Sequence, residues 1–398
     1  MNLLYLAHRL PYPPNKGDKV RSFHLLTYLA ARHRVFLGTF IDDPEDDVHV
    51  DAVRAICAGL PVARLNPLVA KLRSARSLLG REALTLRYYG DAGLSRWVDE
   101  TIARHDIGTA VVFSSSMAQY VEHRPNLRML VDFVDVDSAK WTQYAPARRW
   151  PMSWLYRREG ACLLDHERSV AARAARSFFV TDHETALFRR LAPDSAGSVE
   201  AMGNGVDAQF FAPDANLPSP YEAGELPIVF TGAMDYWPNV DAVTWFAGEV
   251  MPALTAVWPR ARLHIVGRHP TAAVRGLAGA AVAVAGGVPD VRPWLQHASV
   301  VVAPLRIARG VQNKILEAMA MGRPVVAARA CTAALGIVAD TELLGATTPA
   351  DWLQSIGELL REPARAAAIG AAGRARVLES YDWTRRLSTI DAHLAAAP

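Results

Sequence analysis

The chain predicts an α/β protein of two doubly wound domains, and three observations carry that expectation. Short runs of aliphatic and β-branched residues alternate with longer amphipathic segments from end to end, as in parallel sheets with helical crossovers. A length of 398 residues exceeds what one ordinary core accommodates. A stretch rich in proline and small polar residues, "FFAPDANLPSPYEAGELP" (210–227), breaks the alternation midway, and the pattern restarts after it. Hydrophobic residues make up 51% of the chain and charged residues 21%, which places it among folded soluble proteins.

The elements follow in order. In the first half, strands are expected at "NLLYLA", "RVFLGTF", "TAVVFSS", "RMLVDFV" and "SFFVTD", with a helix from Lys19 to about Arg32. In the second half, "IVFTGAM", "RLHIVG", "AVAVAGG", "SVVVAPL" and "PVVAAR" are separated by helices near 239–257, 289–298 and 311–321. Helix-period segments run from Asp351 to the end. These give an N-terminal domain over 1–210, a linker over 211–226, a second domain over 227–380, and a terminal helix, 381–398, expected to pack back on the first domain. Open α/β sheets bind ligands at the carboxyl ends of their strands, so a cleft is expected where the two sets of strand ends face each other.

Composition excludes several classes. No apolar run approaches the ~20 residues needed to span a bilayer. The opening "MNLLYLAHRLPYPP" carries no basic leader or small-residue cleavage site and reads as a first strand. Cys57, Cys162 and Cys331 are too few and too scattered for a disulfide framework or zinc site, which fits a reducing cytosol. Net charge is only +3, so the protein as a whole is no polyanion binder. Residues 64–90, however, hold six basic residues and one acid, Glu82, and "RRWPMSWLYRR" (148–158) interleaves arginine with aromatics. Both segments suit either contact with anionic lipid or solvated helix faces. No nucleic-acid motif accompanies the charge. "IGAAGRARV" (369–377) is glycine-bearing but lies in a helical run with no strand before it, so it is no dinucleotide fingerprint.

The most informative stretch is "RGVQNKILEAMAMGRPVV" (309–326). Gly310 follows a buried strand, and a helix starts directly after it. The first amides of a helix lack internal partners and its dipole end is positive, so a phosphate fits there and glycine lets it approach. Lys314 is placed to reach the same phosphate. Glu317 shares its face, where a carboxylate can accept hydrogen bonds from a vicinal diol such as a ribose. An ordinary i,i+3 ion pair explains the same two residues equally well.

"LEAMAMGRPVV" resembles the hallmark of the family-four retaining glycosyltransferases of GT-B fold. "GNGVDAQFF" (203–211), "IVFTGAMDYWPNVDAVTWF" (228–246), "LHIVGRHP" (263–270) and "VPDVRPWLQHASVVVAPLR" (288–306) are similar to further family segments in the family's order. "KGDKVRSF", "VDFVDVDSAKW" and "MDYWPNVDA" resemble a narrower group, the sugar transferases of bacterial exopolysaccharide and exosortase (PEP-CTERM) gene clusters.

The resemblance implies a GT-B fold, two Rossmann-like domains facing a central cleft. It implies a nucleotide-diphospho-sugar donor, UDP-linked by default, bound by Gly17, Gly232, Arg268, Val288, Gly310, Val311, Gln312, Lys314 and Glu317. Arg309 and Lys314 are expected to stabilise the leaving diphosphate. Arg309 stands where the family's E-x7-E motif has its first glutamate, and the arginine and lysine that relatives place after the first donor-domain strand are missing, with only Asn239 near the lysine's place.

On the acceptor side the candidates are Lys19 and Arg21, with the alternative of plain solvated charges, and Asp132, Asp135 and Asp137, which alternate in "VDFVDVDS". In an extended segment these three acids would point to one side, suiting an acceptor hydroxyl or a cation. Asp135, near the place of an acceptor-site histidine in relatives, is the candidate contact or base. Transfer in the family retains anomeric configuration, and the phosphate oxygen itself assists deprotonation.

The expected function is transfer of a sugar from a nucleotide-sugar to a glycan or lipid-linked acceptor in exopolysaccharide synthesis. No metal or other cofactor and no nucleic acid is expected, and the site of action is the cytoplasm or the inner face of its membrane. The alternatives are a GT-B nucleotide-sugar epimerase and a non-catalytic glycan-binding scaffold.

Overall fold

The aliphatic runs become the strands of two all-parallel sheets in a computed structural model that describes residues 1–14, 16–307, 311–333, 335–338 and 340–394. One compact unit comprises Met1–Gly203 together with the chain from Leu387; the other is Asn204–Arg386.

In the first unit, β1 (Asn2–Ala7), β2 (Arg34–Ile41), β3 (Val62–Arg64), β4 (Thr109–Phe113), β5 (Arg128–Val134), β6 (Arg176–Phe179) and β7 (Val199–Ala201) form a sheet. Its order is β3-β2-β1-β4-β5-β6-β7. Strands β1 and β4 are buried almost throughout because helices cover both faces of a parallel sheet. The second unit holds β8 (Leu226–Thr231), β9 (Ala261–Val266), β10 (Val282–Gly286), β11 (Val300–Ala303), β12 (Val325–Ala328) and β13 (Leu344–Ala346), in the order β10-β9-β8-β11-β12-β13. Each sheet reverses its winding once, between β1 and β4 and between β8 and β11. Those reversals open a crevice at the carboxyl ends of the strands, the place where such sheets bind ligands.

The alternation of apolar runs anticipates all of these strands except β3, β7 and β13. Each of the three has only three residues and lies at a sheet edge. Too short to show a two-residue period, they are formed by pairing with a longer neighbour.

The chain's last described stretch packs on the first unit through buried Leu387, Ile390 and Leu394. The Tyr28 hydroxyl donates to Asp391 at 2.6 Å, and Arg128 Nε donates to the His393 carbonyl at 2.9 Å. The units divide between Gly203 and Asn204, ahead of the proline-rich stretch, because Val206 already bridges to Asp382 and Asn204 to Asn313 within the second unit.

In the first unit, the helix Gly17–Ala30 is fastened to the sheet by charge. Arg21, fully buried, donates from Nε and Nη2 to Asp132 on β5 at 2.7 and 3.0 Å. Two parallel hydrogen bonds of this kind fix orientation as well as distance. Lys19, equally buried, donates to Asp46 at 2.5 Å. In the second unit, the helix Asn313–Ala320 buries Ile315, Leu316, Ala318 and Met319 against the sheet. It is backed by the helix Pro363–Ser380, where "IGAAGRARV" supplies the contact. A β-carbon on Gly370 would lie 2.2 Å from the Gly322 carbonyl, and one on Gly373 would lie 2.8 Å from the Glu342 carbonyl. These glycines are a packing seam.

Removing one half of the Arg21–Asp132 pair strands a buried charge. Arg21→Ala should lower unfolding stability by about 3–5 kcal/mol, read from the urea midpoint at unchanged slope. The paired change Arg21→Met with Asp132→Leu should recover most of that loss; an equal loss in both would mean packing, not uncompensated charge, is at stake.

Candidate functional site

The second unit gathers most of the sequence-predicted donor residues on the carboxyl edge of its sheet. Glycines make the approach possible. Gly232, directly after β8, has φ +148°, and its amide donates to the Val266 carbonyl at 3.0 Å. Gly267, directly after β9, faces it so closely that a β-carbon there would fall 1.6 Å from the Gly232 oxygen. A side chain at 232 would collide with Asn239 and with Lys314 Nζ, at 2.8 and 2.9 Å. The carboxyl ends of β8 and β9 and the helix Asn313–Ala320 therefore meet around space that only hydrogen atoms fill.

Lys314 occupies the centre of this rim. Its ammonium donates to Asn239 Oδ1 at 2.7 Å and lies 4.1 Å from the centre of the Phe230 ring, a cation–π contact. Asn239 is itself held, its Nδ2 donating to the Ala233 carbonyl at 2.8 Å. Glu317 lies one turn along. Among the described residues no salt bridge joins it to Lys314, which sets aside the ordinary i,i+3 ion pair, and no side chain is hydrogen-bonded to its carboxylate. Both side chains are half-buried. Burial pushes the Lys314 ammonium down to about 7, against the pull of Glu317, and pushes the Glu317 carboxyl up to about 7, against that of Lys314.

The N-terminus of this helix has no side-chain cap and no acid in its first turn. Val311 and Gln312 lead into it half-buried. On the neighbouring edge, Arg268 follows Gly267; its carbonyl accepts from the Met234 amide at 2.8 Å, and its side chain passes beside Gly287. Among the described residues its guanidinium has no hydrogen bond or ion pair. Val288 packs on the hydrophobic core next to the end of β10. Arg309 and Gly310 lie outside the described residues. Nothing in the sequence pattern singles out Phe230 and Gly267 for this rim. Their only signal is position, at or just past the end of a central parallel strand.

The first unit treats its candidates differently. Space beside Gly17 is open. The helix it begins carries Asp18 in its first turn, and that carboxylate accepts from the Lys19 amide at 3.0 Å. Asp18 also bonds Arg9 at 2.9 Å and approaches His8 at 3.4 Å. Burial would raise the Asp18 carboxyl, but His8 and Arg9 hold it well below the usual carboxylate range. This helix end thus already has its anion, unlike the one at Asn313.

Of the residues the sequence suggests for an acceptor, Lys19, Arg21 and Asp132 are buried, Lys19 ion-paired with Asp46 and Arg21 with Asp132. Nor do the three acids share one side. Val134 adopts φ +69°, a conformation β-branched residues rarely take, and the β5–β6 register shifts there. The two-residue period is broken: Asp132 turns to Arg21, while Asp135 and Asp137 both accept from Lys140, at 2.7 and 3.1 Å. Asp135 Oδ1 is buried without a hydrogen bond.

Beneath this turn Glu167 accepts from Ser138 Oγ at 2.5 Å and from its amide at 3.1 Å, and burial together with Asp137 pushes its carboxyl up to about 8. Among the described residues, no three His, Cys, Asp or Glu side chains are grouped to hold a metal ion. The cluster of His8, Arg9, Asp18 and Asp42 at the ends of β1 and β2 was also not anticipated, although "AHR" directly after a buried strand marks it.

Residues 225–362, most of the second unit, match the family described as Glycosyl transferases group 1. No curated protein sequence is similar enough to match. Among solved structures, HepE from Anabaena in complex with UDP aligns over 100% of both chains at 14% identity, with a TM-score of 0.70. Sucrose-phosphate synthase from Thermosynechococcus elongatus aligns over 99% of this chain and 98% of its own at 18% identity and a TM-score of 0.75. WaaG, a glycosyltransferase involved in lipopolysaccharide biosynthesis, aligns over 99% and 100% at 15% identity and 0.66. At such identities the likeness establishes the fold: two parallel-sheet Rossmann-like domains of the GT-B class.

If the Lys314 ammonium meets a diphosphate, Lys314→Met should weaken UDP binding by at least about tenfold, the scale of a lost charge-assisted hydrogen bond, and Asn239→Ala by several-fold less. In the unliganded protein Lys314 loses its proton as pH rises through about 7. A bound anion favours the charged form. UDP affinity should therefore fall on the alkaline side, with proton uptake on binding measurable by calorimetry in buffers of different ionisation enthalpy. Lys314→Met should abolish that uptake.

Proposed function

We propose that the chain transfers a sugar from a nucleotide-diphospho-sugar to a hydroxyl acceptor with retention, and that the rim around Lys314 takes the donor. One observation supports this most: a half-buried ammonium at an uncapped helix N-terminus, hydrogen-bonded to the neutral Asn239 with no acid ion-paired to it among the described residues. A cation so placed has charge left over for an anion, and it stands at the winding reversal of a sheet whose segment 225–362 matches Glycosyl transferases group 1.

In this reading the diphosphate lies against Val311, Gln312 and the Lys314 ammonium, with Arg309 and Gly310 beside it. Arg268, lacking a partner among the described side chains, is a second cation for the phosphates. Glu317 receives the pentose hydroxyls. As the bond from the sugar's anomeric carbon to the phosphate oxygen breaks, the electron pair stays on that oxygen. Lys314 and the helix dipole stabilise the growing charge. The acceptor oxygen attacks the same face, and its proton passes to the departing phosphate oxygen, so no separate protein base is required.

A uridine base is favoured because HepE, of like fold, is described with UDP and with UDP-glucose. The acceptor is proposed as a growing glycan or a lipid-linked sugar of an exopolysaccharide, of the kind made by exosortase-associated gene clusters. The first unit would receive it, with Asp135 and Asp137 at the end of β5 as contacts. The protein would then act in the cytoplasm or at the inner face of its membrane, without a metal. Among the described residues no helix is long and apolar enough to cross a membrane.

Incubation with a panel of UDP- and GDP-sugars, with and without glycan acceptors, tests this reading. Acceptor-dependent release of the nucleotide with the product keeping the donor's anomeric configuration by proton NMR is the expected result. Glu317→Ala should raise donor KM by about tenfold or more. An isomerised sugar without acceptor would mark an epimerase; binding without turnover would mark a scaffold.

A further inference from the structure

Exposed large apolar side chains concentrate in the first unit. The helix Pro67–Ser74 is built inside out: it buries its small residues, Ala70 and Ser74, and leaves Leu68 and Leu72 at 73% and 75% exposure, with Val69 between them. A surface helix that packs only on its own domain does the reverse. A second apolar group begins at Trp150, at 81% exposure, and continues through Met152 and Trp154 in the first turn of the helix Met152–Arg173.

The two groups belong to one local body. Arg158 of the longer helix donates to the carbonyls of Gly80 and Glu82 at 2.7 and 3.2 Å. Buried Glu159 accepts from the Leu84 and Thr85 amides at 2.7 and 2.9 Å. Arg73 donates to the carbonyls of Arg87 and Tyr88, tying the short helix to the same segment.

Charge selects the partner. Residues 138–158 contain no acid, and the single acid of 64–90, Glu82, is taken by Arg87. Among the described residues no acidic side chain pairs with Lys71, Arg76, Arg81, Arg149 or Arg157, all of them exposed. We propose that this surface docks on a bilayer containing anionic lipid: Leu68, Val69, Leu72, Trp150, Met152 and Trp154 enter the interface, and the unpaired cations meet headgroup phosphates. Exposed apolar side chains flanked along the chain by unpaired cations fit a lipid surface, which offers the opposite charge all round, better than a protein face, which would have to supply a matching acid for each cation. The surface rests on exposure and charge and stands independently of the transfer reaction. With a lipid-linked acceptor it would also bring the protein to its substrate.

Flotation of the purified full chain with vesicles of phosphatidylcholine, alone or mixed with phosphatidylglycerol, reads this without any sugar donor. Binding to the mixed vesicles, weakening as salt is raised, is expected. Leu68→Ser with Leu72→Ser, and separately Trp150→Ser with Trp154→Ser, should each lower binding by about tenfold or more. Lys71→Ala and Arg149→Ala should each lower it roughly fivefold. Leu378→Ser, at an exposed apolar position of the other unit, should change nothing. Three results would overturn the proposal: no binding to mixed vesicles, undiminished binding by both apolar variants, or a self-associated wild-type form that Leu68→Ser with Leu72→Ser converts to monomer, which would make this face a contact between copies.

Discussion

A charge withdrawn from water must find an opposite charge, a polar cage or a lower pKa, and Lys314 takes the last two. Its ammonium rests on the Phe230 ring and on an amide oxygen, neither of which carries formal charge. Everything around it serves that arrangement. Gly232 and Gly267 keep side chains out of the space beside it, Asn239 is anchored from behind by the Ala233 carbonyl, and the helix that carries it brings a positive end to the same place. The first unit offers the contrast. There Arg21 meets a full carboxylate, Asp132, and the pair is closed. One buried and one half-buried cation on two similar sheets thus have opposite consequences: one is neutralised and fastens a helix, the other keeps field to spare.

The same contrast runs through the acids near the end of β5. Asp132 belongs to the interior. Asp135 and Asp137 have Lys140 between them, and Glu167 below them is pushed toward its protonated form by burial. The positive φ of Val134 is what divides these roles, since it turns the chain out of the sheet between one acid and the next. Strain at a β-branched residue costs on the order of 1–3 kcal/mol and persists only where neighbours hold it. Here the Val134 carbonyl accepts from the Val180 amide at 2.7 Å, and its own amide donates to Asp132.

Much of this is legible in the residues alone. Central strands such as "NLLYLA" and "RMLVDFV" announce themselves because both faces are buried, and the observed bounds of β1 and β5 coincide with those runs. Edge strands do not, because three residues carry no period. Side-chain roles were harder to read for a different reason. Arg21 and Asp132 are 111 residues apart, and Lys314 and Asn239 are 75 apart, so nothing local distinguishes a buried ion pair from a ligand contact. A polar residue on a helix looks the same in sequence whether its partner is a substrate or a distant strand. The inside-out helix at 67–74 was visible only as a basic, leucine-rich stretch; which face turned outward depended on what lay beneath it.

The seam at Gly370 and Gly373 has a consequence that reaches well beyond the helix it lies in. Main chain backs directly onto main chain there, so the segment bearing Lys314 cannot roll or slide without driving into peptide oxygens. The position of the ammonium is thereby set in part from behind the helix that carries it, by Gly370 against the Gly322 carbonyl. A single methyl added behind that wall would shift the whole row of groups in front of it without altering any of them.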